Sequence, residues 1–190
     1  MGASPWLRLA LSLVLLGVMY FAWKPRIEEL YYHTLASKEL IDLGDATTFA
    51  DKRNDIKENS YVSVSGILGN KAATLRGLRA GSLRFGRFQV RHLLGSKLYI
   101  EYPEEKYHPI FNPFTRVSVK GRLTSFGPES EMAKVRDFFK DYYHTPVDKD
   151  AMLIVVDEVP RTEYIYLVLF LISLAILVAS FYFSFRGFFV

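Results

Sequence analysis

The chain has 190 residues, half of them hydrophobic and 23% charged, with a formal net charge of +4. That length holds one domain of ordinary size together with membrane segments. Cysteine is absent, which excludes disulfides, thiolate zinc centres, iron–sulfur clusters and any cysteine nucleophile.

Leu9 to Trp23 is a run of 15 uncharged residues. It lengthens when Trp6 and Leu7 join it and Arg8 turns its head group to the interface. A transmembrane helix is expected over 5–25. The boundary Tyr20-Phe21-Ala22-Trp23-Lys24-Pro25 offers no small-x-small cleavage site, so an uncleaved signal anchor is expected. Residues 26–60 follow as a juxtamembrane helical segment. Ile27, Leu30, Tyr31, Thr34, Leu35, Lys38 and Ile41 recur at helical spacing and predict an amphipathic helix over 26–43, ended by Gly44. The polar stretch 45–60 reads as a short helix or linker, with Phe49 and Ile56 seven apart on one helical face.

From Tyr61 the period falls to two, the signature of a half-buried strand. Val62-Ser63-Val64-Ser65-Gly66-Ile67-Leu68 and Val117-Ser118-Val119-Lys120-Gly121-Arg122-Leu123 share the pattern V-S-V-x-G-x-L, 55 residues apart. They read as a weak repeat, or as two strands in similar positions of one barrel. Further strands are expected over 71–78, 84–92 and 97–102, punctuated by Gly81, Gly86 and Gly95-Ser96. Pro103, Pro109 and Pro113 make 103–115 a loop. Met132, Val135, Phe138, Phe139 and Tyr142 predict a helix over 129–142, with Pro128 in its first turn. Ala151 to Val156 reads as a buried strand. The sum over 61–160 is an α+β domain: a small antiparallel β-barrel of OB-like type carrying one helix.

Tyr164 to Phe185 then runs 22 residues without a charge, and a second transmembrane helix is expected over 163–186. The chain is therefore read as a two-pass protein of a bacterial or mitochondrial inner membrane. The flanking charges nearly balance. The signal-like start favours a domain facing the periplasm or intermembrane space. Trp23, Tyr31, Tyr32 and Tyr164 are expected to set membrane depth.

From Asn59 to Ile100 there is no acidic residue, while Lys71, Arg76, Arg79, Arg84, Arg87, Arg91 and Lys97 all fall there. Arg76, Arg79, Arg84, Arg87 and Arg91 are the candidate contact residues. They suit anionic lipid head groups, an acidic patch on a partner protein, or nucleic acid. Nucleic acid is the least favoured, because it requires a cytoplasmic domain. An ordinary solvated sheet face is the bland alternative. His33, His92, His108 and His144 are scattered, with no short metal-ligand spacing, although His108 and His144 both lie in expected loops. Glu28-Glu29, Glu104-Glu105 and Asp157-Glu158 are adjacent acids. Adjacency turns the two side chains apart, so none is an acid–base dyad. No phosphate loop or nucleophile elbow is present. Neither catalysis nor a cofactor nor a metal is expected.

The order of parts resembles the Surfeit-locus assembly factors of cytochrome oxidase. The strand Tyr61-Val62-Ser63-Val64-Ser65-Gly66 is similar to that family's early V-x-V-x-G strand. Val117 to Leu123, then Arg136-Asp137-Phe138 in a helix, then Ala151 to Val156 and a terminal crossing, is similar to its closing order. The resemblance implies a β-rich domain outside the membrane between two membrane helices, and a part in oxidase biogenesis. It carries no haem-handling residue onto this chain. The layout is also similar to mitochondrial ubiquitin ligases with a domain between two membrane helices. Their RING needs cysteines that this chain lacks.

The expected function is a non-enzymatic, membrane-anchored scaffold or assembly factor. Its β domain would dock a membrane-protein partner at the bilayer surface. A binding module for a small ligand, lipid or metal is the alternative.

Overall fold

The computed structural model describes residues 4–79, 84–108, 110–128, 132–162 and 164–186. In chain order the elements are α1 (Pro5–Trp23), α2 (Ile27–Thr34), β1 (Ile41–Asp45), α3 (Phe49–Lys52), β2 (Tyr61–Arg79), β3 (Arg84–Leu93), β4 (Leu98–Pro103), α4 (Glu104–Tyr107), β5 (Arg116–Ser125), α5 (Ala133–Tyr143), β6 (Met152–Val156) and α6 (Ile165–Arg186). They form two compact units: 1–35 with 161–190, and 36–160.

In the first unit α1 and α6 are each long and apolar enough to cross a membrane. Ser4 caps α1 by accepting from the Leu7 amide at 3.3 Å, ahead of Pro5 in the first turn. The two helices pack antiparallel, because Ser12 meets Ser180 and Ser184 while Trp23 meets the Phe170 ring edge-on at 5.3 Å. Most large apolar side chains of α6 are exposed, including Val168, Leu169, Leu171, Ile172, Leu174, Ile176 and Val178. A helix apolar on every side and largely exposed suits lipid better than the core of a domain. The polar atoms between the two helices are paired. Ser12 Oγ lies 2.7 Å from Ser180 Oγ and 2.9 Å from Ser184 Oγ, and Ser184 Oγ donates to the Ser180 carbonyl. The helix expected over 26–43 stops at Thr34. The Arg161 guanidinium donates to the Leu35 carbonyl at 2.9 Å, satisfying a helix-end acceptor. Beyond it, Ser37 Oγ accepts from the Glu39 amide, a local bond that competes with helix.

In the second unit six strands form one mixed sheet in the order β1-β2-β3-β4-β6-β5, and β2 also pairs with β5. The sheet is not the purely antiparallel one expected. β1 runs parallel to β2, and β4 runs parallel to β6. The intervening α4, β5 and α5 supply the long crossover that the second parallel pair requires. The two V-S-V-x-G-x-L strands are direct neighbours, with Val64 opposite Val119 and each motif's glycine opposite the other's first valine: Gly66↔Val117 and Val62↔Gly121. Glycine is obligatory at 121, because a Cβ there would stand 2.0 Å from the Val155 carbonyl oxygen.

The strands expected over 61–68 and 71–78 are one continuous β2. Its register slips between Leu68 and Ala72, where Leu68 donates to Thr115 O and accepts from the Phe114 amide. That bulge lets β2 turn from β5 to β3. Side chains of the sheet separate onto two cores. Leu98, Ile100, Tyr102, Ile154 and Val156 join Leu43, Val62, Val64, Leu68, Leu93 and Val119 in one cluster. Tyr99, Leu153 and Val155 join Ala73, Val90 and Phe126 in the other, beneath Val135 and Phe139 of α5. β6 is thus buried on both faces, which is why all five of its residues are apolar. Phe49 and Ile56 are both buried, as their spacing predicts. Helix α5 begins after Met132, so Pro128 is not in its first turn; residues 129–131 lie outside the described ones.

Candidate docking surface

Beyond the reach of their neighbours, β2 and β3 have only each other. β5 pairs with β2 from Tyr61 to Ile67, and β4 pairs with β3 from Phe88 to His92. Among the described residues the far end is therefore a two-stranded ribbon, with its tip at 80–83 outside them. Across it the register is Arg76↔Arg87, Gly77↔Gly86, Leu78↔Phe85 and Arg79↔Arg84. The segment Arg76-Gly77-Leu78-Arg79 is answered in reverse by Arg84-Phe85-Gly86-Arg87. Arginine faces arginine twice, glycine faces glycine, and one apolar residue faces another. Like charges directly opposite on a ladder are destabilising, so this arrangement works against the ribbon's own stability.

The basic stretch divides by environment. Lys71 is engaged, with its amine on the Tyr143 carbonyl at 3.2 Å and on Thr145 Oγ1 at 2.5 Å. Lys97 is engaged too, with Asp150 at 2.9 Å and Asp148 at 3.5 Å. The bond to Asp150 raises the Lys97 pKa and lowers that of Asp150. Arg91 is partly buried, and its Nε and Nη2 both donate to Gln89 Oε1. Gln89 also accepts from the Tyr102 hydroxyl at 2.9 Å and donates to Glu104 at 3.0 Å. Arg76 and Arg87 are exposed and, among the described residues, form no ion pair. The side chains of Arg79 and Arg84 lie outside the described ones; their backbones are in register. Of the five candidate arginines, four thus lie on the ribbon as two cross-strand pairs, three positions apart and so at register positions of opposite faces. Arg91 sits apart, at the level of β4.

The remaining candidates are dispersed. Tyr31 and Tyr164 are exposed and Trp23 half-buried, whereas Tyr32 is fully buried and its ring meets His33 edge-on. His33 is buried against Tyr166 and 3.9 Å from Glu29. His92 Nε2 lies 2.6 Å from the Ser96 carbonyl oxygen. His108 and His144 are exposed, the latter closing α5 in the left-handed conformation at φ 50°. The adjacent acids diverge. Asp157 binds Lys106 and the Tyr107 hydroxyl, while Glu158 meets Arg122 at 3.3 Å.

Sequence reasoning missed Gln89, whose side chain ties Arg91 to Glu104. It also missed the buried Arg122–Glu158 pair with Asn59 behind it. The reversed repetition around the tip was a legible signal for the arginine pairs, and it becomes meaningful once β2 and β3 are known to be a hairpin.

Comparison with protein-family models, with curated proteins and with solved structures finds no match.

Proposed function

We propose that this protein is a non-enzymatic scaffold anchored in a membrane by α1 and α6, whose β unit docks an anionic partner at the bilayer surface through the β2–β3 ribbon. The observation that carries the reading is the facing of Arg76 with Arg87, and of Arg79 with Arg84, in a stretch without one acidic residue. A fold that opposes arginines across a ladder carries an internal repulsion, and an anion seated between them would relieve it. Tethering at both ends confines the unit to a thin layer near the membrane, which raises its effective concentration for neighbours there.

We further infer that the ring of pairings β2-β3-β4-β6-β5-β2 is a small OB-like barrel. The bulge in β2 and the close approach at Gly121 support this, since small barrels turn their corners at such points. The membrane is inner and the unit faces the periplasm or intermembrane space, a reading supported by Arg8 ahead of an apolar run.

The test is a photo-crosslinker at exposed position 74, two residues from Arg76 on β2, in native membranes, with and without Arg76→Glu. The expected result is an adduct, to lipid or to protein, whose yield falls when the charge is reversed. Equal yields would overturn the reading.

A further inference from the structure

The edge of β2 that faces away from β3 is closed in turn by different parts of the fold. β5 covers it as far as Ile67. At Leu68 a loop backbone takes over, donating from the Phe114 amide and accepting at the Thr115 carbonyl. At Ala72 the cover is a side chain. The Tyr143 hydroxyl donates to the Ala72 carbonyl at 2.9 Å and accepts from its amide at 3.4 Å. One phenol thus stands where a neighbouring strand would. In an antiparallel ladder, alternate residues turn both backbone groups away from the partner strand. Ala72 is one of these, so Thr74 and Arg76 are the next. Both are exposed, and among the described residues nothing pairs with their outward N–H and C=O groups. The edge opens at Thr74.

On one face of this open edge, Arg76 and its cross-strand neighbour Arg87 are exposed without an ion pair among the described residues. On the other face Ala73 and Leu75 pack into the α5 core, together with Tyr143. The Tyr143 ring meets Phe138 edge-on at 5.6 Å and Tyr142 at 5.0 Å. Phe138 and Tyr142 stack on each other while 39% and 67% exposed. An added strand would alternate its side chains between these two faces, acids beside Arg76 and apolar groups beside Leu75 and Tyr143. Charge on an edge strand also blunts it against wrong partners. A second copy of this edge would bring arginine to arginine and is repelled, whereas a segment of opposite sign is attracted. Lipid phosphates accept hydrogen bonds but offer none to the outward C=O groups. A strand supplies both kinds in register.

We propose that the ribbon's anionic partner is an extended segment of another protein, alternating acidic and apolar, which adds to β2 as a further strand beyond Ala72. The proposal rests on the docking reading above and names its occupant and its mode.

The probe is a labelled synthetic peptide of alternating glutamate and valine, about eight residues long, titrated into full-length protein in phosphatidylcholine nanodiscs. A peptide of equal charge with proline at its two central valines is the control, since it cannot complete a ladder. Thr74→Pro removes an outward donor and keeps every arginine, while Thr74→Val keeps the donor. Circular dichroism confirms that each variant is folded. Amide exchange at positions 73 to 76, read by NMR on the unmodified protein, gives an independent signature.

The expected result is binding of the glutamate–valine peptide and not of the control. Thr74→Pro and Arg76→Gln/Arg87→Gln should each weaken it roughly tenfold, and Thr74→Val should leave it unchanged. Bound peptide should slow exchange at the Thr74 and Arg76 amides, while Ala73 and Leu75, which face β3, stay slow throughout. Equal binding of the two peptides overturns the proposal. So does unaltered exchange at 74 and 76, which also decides the matter if Thr74→Pro does not fold. If the folded Thr74→Pro variant binds as tightly as the unmodified protein while the arginine variant does not, strand addition falls and the docking reading stands. The same holds if the peptide fails to bind but the crosslinker at 74 gives a charge-dependent adduct. If the peptide fails and that adduct is indifferent to charge, both fall.

Discussion

Arg122 and Glu158 are 3% and 4% exposed, and their charges face each other at 3.3 Å with Asn59 accepting from Arg122 Nε. Removing one partner strips this ion pair from a charge that stays buried. Glu158→Leu is therefore expected to cost about 3–5 kcal/mol, while Arg122→Met/Glu158→Leu should recover much of that loss in chemical denaturation. Burial acts on tyrosines as well. It pushes the Tyr99 and Tyr102 phenols up to about 12, from the ordinary value near 10. The folded state therefore keeps these protons where the unfolded chain has released them. Stability from this source is complete below about pH 10 and is lost as pH rises towards 12. Ultraviolet titration should show these two phenols, with Tyr107 also shifted upward by burial and Asp157, ionising late in the native protein, and none late in denaturant. Asp45 works in the opposite sense. The Thr47 amide and then Arg116 hold its carboxyl below the usual value, so that contribution is present above about pH 4 and fades on further acidification.

Among the elements, the β2–β3 ribbon is where stability and the proposed function oppose each other. Arg76→Glu puts a carboxylate opposite Arg87 in place of a like charge. The expected outcome is a gain of roughly 0.2–1 kcal/mol in thermal or chemical denaturation, together with loss of docking. A residue kept only for stability would lose both or neither. Much of the fold could be read beforehand at this scale. β3, β4, β5 and β6 alternate or run apolar over short stretches bounded by turn residues, and α5 shows Val135, Phe139 and Tyr143 four apart. β1 could not be read, because Ile41 continues the helical spacing of Leu35 and Lys38 and only Leu43 of this strand enters the core. The expected strands 61–68 and 71–78 leave 69–70 between them, where β2 instead runs on through a bulge. The bulge there is held by hydrogen bonds to Phe114 and Thr115, residues distant in sequence. The candidate arginines were visible as a run without acids. Their pairing was not, since register depends on where the hairpin turns.

At the scale of the whole chain, α1 and α6 make an intramolecular pair clasped by three serines. Hydroxyl bonds between membrane helices contribute only about 0.6 kcal/mol each on average, so the clasp serves alignment more than strength. Ser12→Cys/Ser184→Cys in this cysteine-free chain should oxidise within one molecule, giving a faster-migrating monomer on non-reducing gels. Crosslinked dimers instead would mean that the two helices choose different partners. The length and apolarity of both helices were legible from the run of uncharged residues. Their serine register was not, because Ser12 lies far in sequence from Ser180 and Ser184 and only antiparallel packing brings them together.

The β2–β5 ladder turns about Val64 and Val119 with a local two-fold, matching each motif position to its counterpart read backwards. Each strand is thereby its own complement: a β2 left without β5 fits the β2 of another copy in the same alignment. Exchange of strands between copies is easiest where copies meet side by side, as molecules anchored in the proposed way would. Completing this seam within one chain thus covers the very edge with which a second copy could otherwise pair.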